Sequence, residues 1–467
     1  APSGDTEPVY PTNESGFLTL GGNTLTFAGA GTGIVVQDRI RDFAGQIART
    51  SYDFSAPTTL TNIVKPETST PSNVVVDMTG GGYVQYYAWA NSYTGTTTVQ
   101  QGQLRLDTLS NAGAPHDAVT ASFHSINGNL LIGDGDATAA SVKLYANETI
   151  APGATVTLAK DGTLDLAGKS QTIGDTVNGV SSGGLVFTGG NVTLGSGTLF
   201  LGANVTVNAS SGNPVSITSN SNGYVSLTFQ RDATTDANIP DQTRTFTVGN
   251  GGNTYDLSLS GIVQSGSLVK AGTGVMMMNK NNTYLGTTDV NEGILNIQAG
   301  TDGSNRSGLG SGDGTDARGT TVASGATLQL QGGIAITSEK LNLSGTGYSS
   351  LGALNNLSGA NTFGLASNTY INLNADSTIK TSGGSLTLPS NIGSTGNNKA
   401  ITFDTDASTT ITMSGGVNTG TGSTTTLTKT GDGTLVLSGS SGYQGATNIT
   451  AGVVSVQNNN GLGAVST

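Results

Sequence analysis

Two pairs of aspartates are the residues of this sequence best suited to chemistry. Asp134 and Asp136 are separated by one residue, and so are Asp404 and Asp406. Alternate residues of a β-strand point to the same side, so each pair could bring two carboxyl groups together, as enzymes that cleave polysaccharides require. Because turns and solvated faces use such residues far more often, we expect no catalytic role for either pair.

Other reactive groups are scarce. The chain has no cysteine and only two histidines, His116 and His124, so it offers little for a thiolate, a histidine-based triad or a zinc site. The segment from Gly179 to Gly183 (GVSSG) matches the G-x-S-x-G pattern of serine hydrolases, but a chain rich in Gly and Ser produces such matches by chance. We therefore expect no enzymatic activity.

Calcium is the metal that the aspartates could hold. Candidate ligands are Asp134, Asp136, Asp313 and Asp316. The repeated glycine- and aspartate-containing nonapeptide of calcium-binding β-rolls is not present. We expect no required metal and no cofactor.

Four aromatic residues between positions 83 and 93 recur at even spacing. They are Tyr83, Tyr87, Trp89 and Tyr93. On a strand they would share one face, and an aromatic face of this kind can stack on sugars. Such clusters are more often buried in a core or an interface, so glycan binding is an alternative here.

Composition places these residues on many short strands. Of the 467 residues, 71 are glycine and only 10% are charged. Thinly spread apolar residues with frequent turn residues favour strands over amphipathic helices. A net charge of −12 with 18 scattered Lys and Arg argues against nucleic acid as a partner. No run of about 18 apolar residues occurs, so we expect no segment that spans a membrane.

Internal repeats are the strongest signal in the sequence. Two clear copies run from Leu268 to Gln298 and from Leu427 to Gln457, and a degenerate copy lies near residues 79–107. Each copy has a tyrosine, with glycine two and nine places later and apolar residues eleven and thirteen places later. In the clear copies a lysine, Lys270 or Lys429, precedes that tyrosine by fourteen places.

These repeats predict a stack of coils. Each copy supplies strands with inward apolar and outward polar residues, and glycine at the corners. No copy can bury its apolar side alone, so stacked copies would share one narrow core and pair strand on strand. We expect three strands of about five residues in a coil of about 20 residues. The domains expected are an N-terminal segment, residues 1–50, and a β-solenoid, residues 51–467.

One segment departs from the strand pattern. Val36, Ile40, Phe43 and Ile47 follow helical spacing, which predicts one short helix within residues 34–50. We expect this helix to cap the first coil, because the ends of solenoids need cover. Docking onto another subunit is the alternative.

The C-terminal copy, KTGDGTLVLSGSSGYQGATNITAGVVSV, resembles the passenger-associated (autotransporter-associated) β-strand repeat. Residues 162–179, GTLDLAGKSQTIGDTVNG, resemble the strand-and-turn unit that commonly follows such repeats. The resemblance implies an all-β protein with a right-handed parallel β-helix. It also implies export across the outer membrane to the cell surface or the extracellular space, typically as an adhesin or a surface filament.

Three functions remain open. We expect a structural subunit that assembles head to tail into an extracellular filament, a homopolymer formed by strand addition between the ends of neighbouring copies. The alternatives are a monomeric adhesin that binds glycans or matrix and, third, a β-helical polysaccharide hydrolase or lyase. The filament interface would contain Phe17, Leu18, Leu20, Leu25, Phe27, Val453, Val454, Val456 and Leu462.

Overall fold

The computed structural model describes residues 17–20, 22–29, 33–36, 39–41, 71–87, 91, 93–107, 124–177, 180–228, 242–364, 371–394, 398–418 and 424–464. Their regular secondary structure is almost entirely β. The helical elements among them are single 3-10 turns at Thr79–Gly81, Asp316–Arg318 and Tyr348–Ser350. The all-β prediction is confirmed.

Parallel strands stack into three faces, here named A, B and C, which the chain visits in this order in each coil. Face A contains β2 (Thr24–Gly29), β5 (Asn73–Met78), β8 (Leu130–Ile132), β10 (Thr155–Leu158), β15 (Gly184–Phe187), β18 (Val205–Val207), β21 (Thr243–Val248), β24 (Ser267–Ala271), β26 (Thr288–Val290), β30 (Thr320–Val322), β33 (Leu341–Gly345) and β38 (Ile392–Ser394).

Face B lies beside face A in the same continuous sheet. It contains β3 (Ile34–Val36), β6 (Tyr83–Tyr87), β9 (Ala140–Leu144), β11 (Gly162–Asp165), β16 (Asn191–Thr193), β19 (Val215–Thr218), β22 (Leu257–Ser260), β25 (Val275–Met278), β27 (Gly293–Ile297), β31 (Ala326–Gln331), β34 (Leu354–Ser358), β39 (Ile401–Thr405), β41 (Leu427–Thr430) and β43 (Thr447–Ile449). Two long strands, β7 (Thr97–Asp107) and β36 (Ile371–Thr381), begin on face A and end on face B.

Face C completes each coil. It contains β1 (Phe17–Thr19), β4 (Arg39–Arg41), β12 (Gln171–Ile173), β17 (Thr198–Leu201), β20 (Tyr224–Ser226), β23 (Ile262–Gln264), β32 (Ala335–Ile336), β35 (Ala360–Phe363), β37 (Ser385–Leu388), β40 (Thr410–Met413), β42 (Thr434–Leu437) and β44 (Val453–Val456). Two antiparallel strand pairs lie between coils, β13 (Asp175–Val177) with β14 (Val180–Ser182) and β28 (Arg306–Ser307) with β29 (Gly310–Ser311). The predicted parallel β-solenoid is confirmed.

The core is a narrow column inside the three faces. Alternate strand residues point into it, as the period of two demands, and the backbone groups pair with the coils above and below. On β42 the buried residues are Leu435 and Leu437, and on β10 they are Val156 and Leu158. The strand pattern therefore places the apolar residues inside and Thr, Ser and Asn outside.

The helix predicted within residues 34–50 is wrong in its described part, which forms β3 and β4. Val36 packs against the core from β3, and Ile40 is fully buried on β4. Two strands joined by a tight corner can bring apolar residues inward four positions apart, so their spacing imitated a helix. Phe43 and Ile47 lie outside the described residues.

The two clear repeats occupy different faces. In residues 268–297 the strands lie on faces A and B, where Leu268 pairs with Thr288, 20 residues later. In residues 427–456 the strands lie on faces B and C, where Leu427 pairs with Thr447, again 20 residues later. The same unit therefore folds with the same register after a rotation of one face about the axis.

Candidate functional site

A buried lysine closes the corner between the two strands of each clear repeat. The side chain of Lys270 is inaccessible to solvent. Its Nζ donates to the carbonyl oxygens of Ala271 at 3.0 Å, Gly272 at 2.6 Å and Glu292 at 3.0 Å. Burial lowers the pKa of Lys270 to about 8, although the carboxylates of Glu292 and Asp256 act to raise it.

The C-terminal repeat forms the same corner. Lys429 is equally buried, and its Nζ donates to the carbonyl oxygens of Thr430 at 2.6 Å, Gly431 at 2.7 Å and Ala451 at 3.3 Å. One ammonium group thus satisfies two backbone acceptors of its own turn and one of the next coil. The lysine that precedes the tyrosine by fourteen places has a structural role.

The tyrosine of the repeat forms a second contact that recurs between the copies. In all three copies its hydroxyl bonds the threonine four residues later, and the first two of these contacts are buried. The pairs are Tyr93 with Thr97 at 2.5 Å, Tyr284 with Thr288 at 2.6 Å and Tyr443 with Thr447 at 2.6 Å. A buried phenol needs such a partner, so the threonine is required by the tyrosine.

The glycine nine places after the tyrosine lies where coils touch. Gly293 has a φ of 67°, and a Cβ there would approach the carbonyl oxygens of Gly272 at 2.5 Å and Gly274 at 2.7 Å. Gly452 has a φ of 72° and faces Gly431 and Gly433 in the same way. Both the positive φ and the close approach require glycine. The repeat motif is therefore explained by folding rather than by a ligand.

The predicted aromatic face forms only in part. Tyr83 and Tyr87 point outward from β6, and the guanidinium carbon of Arg105 lies 3.5 Å from the ring centroid of Tyr83. Tyr93 is fully buried, so its predicted place on that face is wrong, because its ring lies in the core with its hydroxyl bonded to Thr97. Trp89 lies outside the described residues. Sequence reasoning missed Tyr145, which is 39% exposed.

The aspartate pair on β39 and just after it is bound by one lysine. Lys380 Nζ lies 2.6 Å from Asp404 Oδ2 and 2.8 Å from Asp406 Oδ1. Burial acts to lower the pKa of Lys380, but the hydrogen bonds and charges of the two carboxylates together raise it, and the net shift is upward. Two carboxylates neutralised by a shared ammonium group are poorly suited to act as a general acid and base.

The other aspartate pair lies in the turn between β8 and β9, next to Asp161. Carboxylate oxygens of Asp134, Asp136 and Asp161 lie within 4.8 Å of one another. Asp161 accepts hydrogen bonds from the amides of Asp134 and Gly135, and Asp136 accepts one from Thr138. The group thus stabilises its own turn, and the absence of a required metal stays a prediction.

The remaining candidate calcium ligands have protein partners. Asp313 lies 3.4 Å from the Nε of Arg318, and Asp316 binds Lys340 at 2.5 Å. Hydrogen bonds from Thr315, with the Arg318 charge, hold the pKa of Asp313 below its usual value. The two aspartates bind different side chains, those of Arg318 and Lys340, and do not form one site.

The histidines and the GVSSG segment do not form a catalytic group among the described residues. His124 Nδ1 lies 2.8 Å from the backbone oxygen of Glu148, and burial lowers the pKa of His124. His116 lies outside the described residues. Ser181 lies on β14 of an antiparallel hairpin rather than on a strand-to-helix elbow.

Several acids removed from solvent were not identified from the sequence, among them Glu148 and Glu339. Burial raises the pKa of Glu148 to about 7, although hydrogen bonds from Thr172 act to lower it. Glu339 is almost fully buried, its Oε1 accepts from Thr320 at 2.7 Å, and burial raises its pKa well above the usual value. Nothing in a sequence of scattered acids distinguishes a buried glutamate from an exposed one.

The residues proposed for a filament interface lie at opposite ends of the described stack. Leu20 is buried, and Leu25 and Phe27 are partly buried against the core of their own chain. Val454 is also partly buried. The more exposed members are Val453, Val456 and Leu462, at 55%, 46% and 48%. For Phe17 and Leu18 the structure describes the backbone of β1 but not the side chains.

No helix among the described residues is long and apolar enough to cross a membrane.

Comparison with known proteins identifies the repeats. The model of the passenger-associated-transport-repeat family matches residues 87–106, 268–297 and 427–456. The chain is 27% identical over 437 residues to the adhesin BmaC autotransporter of Brucella suis biovar 1 (strain 1330). That match covers 78% of this chain but only 12% of the relative's length. No solved structure matches the chain.

The matched repeats coincide with the three segments that carry the buried tyrosine and its threonine partner. The stacked parallel strands give the fold that these repeats imply. The chain therefore contains three passenger-associated transport repeats and resembles an autotransporter passenger, a protein of the cell surface or the extracellular space.

Proposed function

We propose that this protein is a non-catalytic adhesin that binds glycans or matrix through the outer surface of its solenoid. The observation that supports this most is the combination of a passenger-type solenoid with a relative whose name is that of an adhesin. The outward residues of the strands are largely Ser, Thr, Asn and Gln, which suit hydrogen bonding with polar ligands.

A catalytic role has less support. A hydrolase or lyase needs carboxyl groups in distinct protonation states at one site. The pair Asp404 and Asp406 shares Lys380, and Asp134 and Asp136 bind amides of their own turn. This favours the adhesin over the enzyme.

Surface display tests the adhesive function. The full chain would be displayed on a non-adherent bacterium, with an empty display carrier as the control, and adhesion to cultured cells and to matrix proteins would be counted. We expect adhesion well above the carrier. Adhesion equal to the carrier on every surface would contradict the proposal, and release of reducing sugars from polysaccharides would favour the enzyme instead.

Head-to-tail filament assembly is a second proposal. The exposed apolar side chains of Val453, Val456 and Leu462 support it. A neighbouring copy would cover them, as would further residues of a longer chain. Negative-stain images of the protein at high concentration test it: regular fibres are expected, and dispersed single particles would reject it. The relative named as an adhesin favours the first proposal.

A further inference from the structure

Within the described residues, the outward side of face B forms a polar strip from β6 to β19. Because these strands stack in register, their outward side chains align in rows along the axis. The central row contains Gln85, Arg105, Lys143, Asp165, Thr193 and Thr218. The row beside it contains Tyr83, Gln103, Ser141, Thr163, Asn191 and Ser216.

A groove of about 470 Å³ follows this strip near the corner that leads to face C. Successive coils line it with Lys143, then Asp165, then Thr193, then Asn220. Hydrogen-bonding groups therefore recur at the coil spacing of about 4.8 Å. A ligand that is itself a chain of similar polar units would meet a partner in each coil.

An aromatic residue flanks the groove. Tyr145 follows Lys143 by two positions on the outward side of its coil, and it is 39% exposed. The Nζ of Lys143 lies 5.9 Å from its ring centroid. Tyr83 and Tyr87 point outward two coils earlier. Amphipathic rings beside a polar groove can stack on the apolar faces of sugar rings while hydroxyl groups bond the groove.

Charge on the strip is balanced. Arg105 and Lys143 are matched by Asp107 and Asp165, and Lys143 lies 3.4 Å from Asp165. Asp165 also accepts from the hydroxyl of Thr193 at 3.0 Å. A strip without net charge on a chain with a net charge of −12 does not favour an anionic ligand.

The strip ends where the protein covers the same face. Beyond β22, the outward side chains Met277 and Ile294 are only 7% exposed. The hydroxyl of Tyr255 there bonds Gln331 at 2.9 Å and accepts from Gln298 at 2.8 Å. Face B is thus covered over those coils and open from β6 to β19.

We infer that this open strip binds a neutral polysaccharide laid along the solenoid axis. Tyr145 stacks on a sugar ring, and the row of Lys143, Asp165 and Thr193 bonds sugar hydroxyls. The inference rests on the proposed adhesive function, for which it names a site and a ligand class.

Affinity measurements with soluble polysaccharides test the inference. The probes are a neutral β-glucan, mannan and xyloglucan, with heparin as the anionic probe. The variants are Tyr145→Ala and Asp165→Asn, and the control is Tyr224→Ala, a tyrosine at an outward position of face C. We expect binding of at least one neutral probe, an affinity loss of about tenfold in each strip variant and none in the control. Circular dichroism would verify that each variant is folded.

Each other outcome overturns the inference. Equal affinity of the strip variants and the unmodified protein would place the ligand elsewhere, and binding of heparin alone would give the wrong ligand class. Adhesion to cells with no polysaccharide bound would reject the strip but leave the adhesive function standing. If the protein neither adhered to cells nor bound any polysaccharide, the strip and the adhesive function would both be rejected.

Discussion

The ammonium nitrogen of Lys270 lies 3.0 Å from the carbonyl oxygen of Glu292, which belongs to the next coil. Its other two hydrogen bonds stay within its own corner, at Ala271 and Gly272. One buried charge therefore ties two consecutive coils together without a carboxylate partner in direct contact.

Replacement of this lysine should loosen the repeat locally. Lys270→Met keeps the apolar stem but leaves carbonyl groups without their donor, so we expect the free energy of local opening to fall by about 1–3 kcal/mol. Hydrogen–deuterium exchange over residues 267–297 measures it. The exposed Lys160→Met is the control and should change exchange little. Unchanged exchange in Lys270→Met would show that water can replace the ammonium group.

Replacement of a corner glycine should destabilise the protein through backbone strain and, where two coils touch, also through a steric clash. Gly325 occupies the same kind of corner in the next coil with a φ of 84°, but no atom lies within 4 Å of a Cβ built there. Gly325→Ala should therefore cost only backbone strain, about 1–2 kcal/mol. Gly293→Ala adds a clash with Gly272 and should lower the thermal midpoint much further. Equal midpoints for the two variants would mean that coil contact contributes nothing.

The tyrosine and threonine of a repeat should behave as a coupled pair. Thr288→Val leaves the buried hydroxyl of Tyr284 without its 2.6 Å partner and should destabilise by about 1–3 kcal/mol. Adding Tyr284→Phe removes that unpaired group and should recover part of the loss. A double-mutant cycle of urea midpoints measures the coupling. Strictly additive effects of the two substitutions would show that Tyr284 and Thr288 are not coupled.

Stability should fall as the pH rises above the range in which an unfolded glutamate ionises. The usual pKa of a glutamate is 4.5, and burial raises that of Glu339 well above it. The folded protein thus holds a proton that the unfolded chain releases, so this group's contribution is full below pH 4.5 and is lost as the pH rises through the folded pKa.

Glu339→Gln isolates that contribution. Glutamine keeps the acceptor for Thr320 but carries no titrating proton, so the variant should lose less stability than the unmodified protein between pH 5 and pH 8. Thermal midpoints at both values measure the difference. The same midpoint change in both proteins would show that Glu339 is ionised in the folded state.

Much of the fold follows from the sequence because the strand pattern is local. Val156 and Leu158 alternate with Thr155 and Thr157, and that alternation alone places the two apolar residues in the core. The helix prediction failed at Val36 and Ile40 because a corner between two short strands produces the same apolar spacing as a helical turn.

Other features depend on the stacking of distant coils and leave no local signal. The spacing of Lys270 to Tyr284 is visible in the sequence, but the carbonyl group of Glu292 reaches the lysine only after two coils stack. Tyr145 follows an ordinary strand, and its place beside the groove depends on Asp165 and Thr193 from later coils. The candidate site is therefore harder to predict than the fold.

The one-face rotation between the repeats has a consequence for how such genes change. Unequal recombination between the segments encoding residues 268–297 and 427–456 would delete the coils between them and leave a fused repeat with intact register. The chain after the fused repeat would then continue from strands on faces A and B, whereas it now continues from strands on faces B and C. A single genetic event could thus shorten the molecule and also turn its distal loops toward a different side of the axis, exposing new surface to the surroundings or to antibodies without any point mutation.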